Sequence, residues 1–330
     1  MSSDMNIIME GWRKFQETSH PMKNRINECI IVAGQSGGDH VLAKSRDRNY
    51  HARIKIIRDL LDDGTEIVYF EDLDTGYAEG MNSHGLGIIN SALSIADDEK
   101  AKDKTKGKVS SDDGPRMINA LKFRDIDEAI KSLVGYMGGI KGHTFVGNPT
   151  SLYSIEMSSA HTPVINKLDP STGFDVRTNH GMDHQGAGYS PERKPEDYMS
   201  SKIRKAQAEV ELSNVFDFED IAPSLAKQNF EPGSNNNMLR RTIPDSGMVT
   251  TSQVAMHLPK REFVFYYFPD ECDFEGIVDK THSEHKPKIN IRVIENPESS
   301  EEISENKRKK IYREYHRIND LRLSRLKKRE

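Results

Sequence analysis

The chain has 330 residues, of which 35% are hydrophobic and 30% charged, with a formal net charge of -5. That balance suits one large globular domain with polar extensions and excludes a disordered chain, while the net negative charge argues against nucleic-acid binding by the chain as a whole. No apolar stretch is long enough to cross a bilayer and the N-terminus lacks the apolar core of a secretory signal, so the expected site of synthesis is the cytoplasm. Cys29 and Cys272 are the only cysteines, too few for a disulfide framework.

Residues 1–28, with Trp12 to Phe15 ahead of Pro21, read as an amphipathic leader outside the main domain. From Cys29 onward, β-rich runs follow one another: "CIIVAG", "HVLAKS", "RIKII", "EIVYFED" and "GLGIINSAL". Turn signals at "GQSGGD", "DDGT" and "NSHG" separate them. Residues 96–115 form a charged segment without apolar periodicity, an expected flexible insertion. "DIDEAIKSLVGY" predicts a helix with Asp125 as its N-cap. Strands resume at "TFVGN", "SLYSIEM" and "GFDVRTN", and helices are expected at "SSKIRKAQAEVEL" and "FEDIAPSLAKQN". "MVTTSQVAMHL" and "EFVFYYFP" then close a domain that spans residues 29–290. Residues 291–330 turn acidic and then basic. Their expected form is a solvated tail helix, with an acidic partner, a membrane surface or nucleic acid as the targets it would suit if it docks. Strands grouped on either side of helices indicate an α+β fold with antiparallel sheets, not a doubly wound one.

Two nucleophiles compete. Gly34-Gln35-Ser36-Gly37-Gly38 matches G-x-S-x-G, but that motif needs a helix directly after the serine. Here another strand follows, so the segment reads as a hairpin turn, and a serine hydrolase acting through Ser36 is the lesser alternative. His180, Asp183 and His184, and His282 with His285 near Cys272, lack paired ligand spacing. They are expected at the surface, and no metal or cofactor is expected.

Cys29 alone would read as a core residue. Downstream of it stand Arg46-Asp47-Arg48-Asn49-Tyr50, then "AEGMNSHGLGIINSAL" with Asn82 in a turn, then "FDVRTNHG" with Asn179, and "SSKIR" with Arg204. In this order the motifs resemble the N-terminal-nucleophile hydrolases of the group containing choloylglycine hydrolase, penicillin V acylase, acid ceramidase and the isopenicillin N acyltransferase family. "SRDRNY", "EGMNSHGLGIINSAL" and "VRTNHG" are most similar to the penicillin acyltransferase-like branch, over Cys29 to Phe268.

The resemblance implies a four-layer αββα sandwich and an amidase or acyltransferase working through a Cys29 thioester on a small-molecule amide. It implies Arg46 beside the sulfur, and Asn82 and Asn179 at the oxyanion site. Arg204 would match a late active-site arginine. Asn49 falls where many relatives carry an aspartate that orients the free amine, with Asp47 as the other candidate carboxylate. The α-amine of Cys29 can act as a base only when the Glu28–Cys29 bond has been cut. In the family that cut is usually autocatalytic. Ile26-Asn27-Glu28 also resembles the sites of capsid maturation proteases of large contractile-tailed phages, which would make the chain phage-encoded, its partners a capsid or that protease, and its destination the virion. A non-catalytic virion structural protein on the same fold is the rival reading, and the substrate is left open.

Overall fold

The computed structural model describes residues 27–93, 113–135, 139–158, 161–184, 195–230, 234–240 and 248–295. The expected leader up to residue 26, the charged segment from 96 to 112 and the tail beyond 295 lie outside them.

Strand β1 (Asn27–Ser36) turns through Gly37 and Gly38 into β2 (Asp39–Arg48). Both glycines have positive φ, 58° and 90°, a region open to a residue without Cβ. "GQSGG" is therefore a hairpin turn, and no helix follows Ser36. Beyond β2 the first sheet continues through β11 (Val249–His257), β12 (Glu262–Tyr267) and β14 (Asn290–Glu295), and β10 (Asp175–Arg177) flanks β1 on the other side. The second sheet runs in the order β13 (Cys272–Asp279), β3 (Ala52–Leu60), β4 (Glu66–Asp72), β5 (Tyr77–Asn82), β6 (Gly87–Ser91), β7 (Gly142–Asn148), β8 (Ser151–Ser158) and β9 (His161–Lys167). Pairing is antiparallel except at β12–β14 and β13–β3.

Side-chain alternation along β1 assigns each face its own core. Ile31 and Ala33, with Leu42, Val254, Met256 and Phe265, pack between the sheets. Ile30 and Val32, with Val41, Ala43 and Val264, pack under helices α3 (Pro195–Leu212) and α4 (Ile221–Leu225) through Ala208, Leu212, Ile221 and Leu225. The second sheet meets the first through contacts such as Phe70 on Phe265, whose ring centroids are 5.9 Å apart. Its other face carries helices α1 (Asp113–Ala120) and α2 (Ile126–Val134), anchored by Met117, Ala129 and Leu133. The layers are helices, sheet, sheet, helices, the αββα order expected. Ile30 and Ile31 are wholly buried on opposite faces. At about 2 kcal/mol for each such side chain, they pin β1 between both cores and fix the residue before them, Cys29.

The carboxylate of Asp125 accepts the N–H groups of Asp127 and Glu128, as its N-cap role requires. Other elements differ from expectation. "FEDIAPSLAKQN" forms only a 3-10 turn over Phe218–Asp220 and the five-residue α4, which contains Pro223, a residue with no N–H to extend a helix. Helix α1 begins at Asp113, inside the segment read as an insertion, and β9, β13 and β14 were not anticipated. Because β14 pairs with β12, the folded region continues to Glu295, past the boundary drawn at 290. Among the described residues no helix is long and apolar enough to cross a membrane.

Candidate active site around Cys29

Strand β1 pairs with β2 along its whole length, which sets Asn27 opposite Arg48, Glu28 opposite Asp47 and Cys29 opposite Arg46. Directly paired residues share a face and neighbours along a strand do not. The run "KSRDR" is thereby sorted. Lys44, Arg46 and Arg48 project with Cys29 into the space between the sheets, and Asp47 projects with Glu28 toward α3.

Between the sheets, Cys29 is 1% exposed. Arg48 Nη1 donates to its Sγ at 3.5 Å. The expectation placed Arg46 against the sulfur; Arg46 instead donates through Nη2 to Asp72 Oδ2 at 2.6 Å and lies 4.9 Å from the centroid of the Phe70 ring. Asp72 also accepts the Tyr50 hydroxyl at 2.6 Å. Lys44 Nζ stands 2.7 Å from Glu79 Oε1 and donates to the Tyr77 hydroxyl at 3.0 Å. Burial pulls the Lys44 pKa down, opposed by Cys29 and Glu79. Burial would raise Asp72, but the Arg46 and Arg48 guanidinium groups outweigh it and hold that carboxyl below its usual range. Burial also works against the charge of Arg48, and the negative ends of Cys29, Tyr50 and Asp72 more than offset it, so its pKa is raised.

On the other face, Glu28 Oε2 accepts from Arg204 Nη2 at 2.9 Å and from Arg240 Nη1 at 2.7 Å. Asp47 Oδ2 lies 3.4 Å from each of those arginines, and its Oδ1 accepts the Thr250 hydroxyl at 2.8 Å. Burial raises the Asp47 pKa against the pull of Arg240 and Arg204. Burial, and then Arg240, lowers that of Arg204. Asn179 joins this cluster to the cysteine. It follows β10, whose pairing of Arg177 with Ile31 brings it alongside the start of β1. Its Oδ1 accepts the Cys29 N–H at 3.4 Å and Arg204 Nη2 at 3.0 Å, while its Nδ2 donates to Ala92 O at 2.7 Å and Ser91 Oγ at 3.3 Å.

The structure thus brings Cys29, Arg46, Asp47, Asn179 and Arg204 together. Asn49 lies half-buried just past the end of β2. Asn82 is elsewhere. Tyr77 and Glu79 point between the sheets, where they meet Lys44, so Asn82 falls on the helix-covered face. There its Nδ2 donates to Leu121 O at 2.9 Å and Phe123 O at 2.7 Å, and its Oδ1 accepts His84 N–H at 2.9 Å and Leu86 N–H at 3.1 Å. Among the residues that escaped the sequence reading are two arginines. Arg48 stands two positions from Arg46, and the strand period carries that signal; Arg240 comes from an irregular segment with none.

Of the remaining candidates, Cys272 is buried, donates to Thr251 O at 3.2 Å, and has its thiol pushed up to about 12 by burial, which makes it inert. Ser36 donates its hydroxyl to Phe216 O at 2.8 Å. His180 is not at the surface as expected but buried, its Nδ1 2.9 Å from Ser201 Oγ. Asp183 receives Arg177 Nη1 at 2.9 Å. The N–H groups of Met182, Asp183 and His184 converge on the buried Glu156 carboxylate at 2.8, 2.8 and 3.0 Å. His285 sits 2.7 Å from Glu66. Among the described residues no three His, Cys, Asp or Glu side chains come together as metal ligands.

No family model and no curated protein matches the chain. Solved structures similar to it include the two that follow. The N-acylethanolamine-hydrolyzing acid amidase ortholog of Caenorhabditis elegans shares 16% identity, with 69% of this chain and 92% of that one covered and a TM-score of 0.44. Penicillin V acylase from Agrobacterium tumefaciens shares 12% identity, with 73% and 86% covered and a TM-score of 0.41.

Proposed function

We propose that this chain is a cysteine amidase or acyltransferase of the N-terminal-nucleophile type, with Cys29 as its first residue once the Glu28–Cys29 bond is cut. One observation carries this reading. The buried Cys29 has its thiol 3.5 Å from Arg48 Nη1 and its backbone N–H on Asn179 Oδ1 at 3.4 Å, so both halves of an amine–thiol pair already have a partner.

An amide nitrogen is not basic. Cutting the bond converts it to an α-amine with a reference pKa of about 7.7 to 8.0, which takes the proton of its own thiol, and the Arg48 charge favours the resulting thiolate. The thiolate adds to the substrate carbonyl carbon, whose oxygen becomes an oxyanion. Arg46, directly across the ladder from Cys29, has Nε and Nη1 without a hydrogen-bond partner among the described residues. To these donors we assign the oxyanion, a role worth about 2.7 to 4 kcal/mol for one donor. As the carbon–nitrogen bond breaks, the α-ammonium gives its proton to the departing amine and leaves an S-acyl Cys29. Water, losing its proton to the α-amine, releases the acid; an acceptor amine in its place yields a new amide. Asn179 has both amide hydrogens committed, and its role here is to accept the α-amine through Oδ1. Asp47, and not Asn49, is then the carboxylate of this side, tied to the amine through Arg204 and Asn179.

Self-cleavage is favoured over an outside maturation protease acting after Ile26-Asn27-Glu28. Asn27 and Glu28 are paired in the sheet to Arg48 and Asp47, and proteases nick exposed, unpaired segments. Intact-mass measurement of the purified protein is the test. Wild-type chain should begin at Cys29 and Cys29→Ala should keep its leader. Hydrolysis of a panel of N-acyl amides should disappear in Cys29→Ala and persist in Ser36→Ala. Full activity in material that still begins at Met1 would overturn the assignment.

A further inference from the structure

Glu28 is the residue that processing discards, yet two buried arginines hold its carboxylate. Arg204 and Arg240 have side chains 0% and 1% exposed. Together with Glu28 and Asp47 they form a neutral set of two cations and two anions. Among the described residues the other partners of the arginines are neutral: Asn179 Oδ1 for Arg204, and Ser200 Oγ with Asn235 O for Arg240. Removing Glu28 leaves the two buried guanidinium groups facing, among the described residues, one carboxylate, Asp47, at 3.4 Å from each. A buried charge without a counter-ion is costly, and the new α-ammonium of Cys29 adds a further positive charge beside it. The vacated place therefore demands an anion.

Glu28 also shows where that anion sits along a substrate. Its carbonyl is the acyl group attached to Cys29, and in self-cleavage that carbonyl passes from the Cys29 nitrogen to Sγ. The intermediate is a glutamyl thioester, with a carboxylate three carbons from the reacting carbonyl. A substrate reaching the mature enzyme forms the same S-acyl bond beside the same two arginines. We propose that the site left by Glu28 selects amides of dicarboxylic acids, of glutaryl or adipyl length, by binding the far carboxylate of the acyl group to Arg204 Nη2 and Arg240 Nη1. This rests on the amidase reading above and adds the class of acyl group to it.

The pocket and the chemistry are tested separately. For the pocket, full-length Cys29→Ala, which keeps Glu28 in place, is compared by calorimetry with full-length Glu28→Ala/Cys29→Ala, using glutarate as the probe. Glutarate should bind the double variant at least thirtyfold more tightly, and adding Arg240→Met should abolish that gain. Glu28→Gln in the same background guards against a folding defect caused by the alanine. Equal affinity with and without Glu28, in variants whose circular dichroism matches that of the wild type, overturns the proposal. For the chemistry, processed wild-type protein should hydrolyse glutaryl-p-nitroanilide with kcat/KM at least thirtyfold above pentanoyl-p-nitroanilide, and Arg240→Lys should keep more of that preference than Arg240→Met. Equal turnover of the two substrates overturns the acyl preference and leaves the amidase standing. Tight glutarate binding without turnover of either amide overturns the amidase and leaves the pocket.

Discussion

Replacing Asn82 by alanine separates the motif from the geometry. If Asn82 belonged to the oxyanion site, its loss would cost turnover and little stability. The structure requires the reverse. Its side chain closes four hydrogen bonds to the main chain, with Leu121 O, Phe123 O, His84 N and Leu86 N, tying the β5–β6 turn to the end of α1. At about 1 kcal/mol net for each bond, the loss is about 4 kcal/mol, a large part of the roughly 5 to 15 kcal/mol that holds a typical domain together. Urea unfolding followed by circular dichroism should show a lower midpoint with an unchanged slope, the mark of lost stability alone. In the absence of urea the folded variant should hydrolyse an amide substrate of the proposed reaction at a kcat within threefold of wild type. A wild-type midpoint combined with a hundredfold drop in kcat would refute the assignment of Asn82 to the helix-covered face.

Arg48→Met removes the guanidinium that donates to the sulfur. In processed protein it should slow iodoacetamide alkylation of Cys29 at pH 7 by tenfold or more, read by peptide mass spectrometry, whereas an unchanged rate would put the activating charge elsewhere. In the same experiment Cys272, whose thiol burial pushes up to about 12, should stay unlabelled until the chain is denatured. Stability should fall with acid in two stages. Burial lowers the His143 pKa below its usual 6.5, so the unfolded chain takes up a proton that the folded chain refuses; this contribution is complete above about pH 6.5 and declines as pH falls below it. Glu156 is lowered below 4.5 because His143 and three backbone N–H groups outweigh the opposing effect of burial, so its contribution is complete above that pH and lost beneath it. Glu156→Gln should cost about 2 kcal/mol at pH 7, in line with hydrogen bonds to a charged group, and flatten the lower stage of a thermal-midpoint titration. An unflattened lower stage would assign that loss to other carboxylates.

What the sequence discloses of this protein follows from which signals are local. The β1–β2 hairpin is legible because alternating apolar residues flank a glycine pair, and α2 because Asp125 caps a regular apolar face. Strand β13 is not, since it lies at a sheet edge with most of its residues partly or fully exposed, so no buried stripe marks it. The same limit applies at the site. Cys29, Asp47, Asn179 and Arg204 could be chosen from motifs, but contact with the sulfur depends on register and side-chain reach. Arg46 and Arg48 share a face, and only the three-dimensional path of each guanidinium sends one to Asp72 and the other to Sγ. The motif puts Asn82 in a turn at the oxyanion site; as the last residue of β5 its face is set by Tyr77 and Glu79, and the pleat turns it from Cys29. Arg240 had no local signal because its meaning lies in Glu28, more than two hundred residues earlier. That pairing fits the processing proposed above: if the chain is its own first substrate, the contacts that hold Glu28 are the ones a later acyl group inherits.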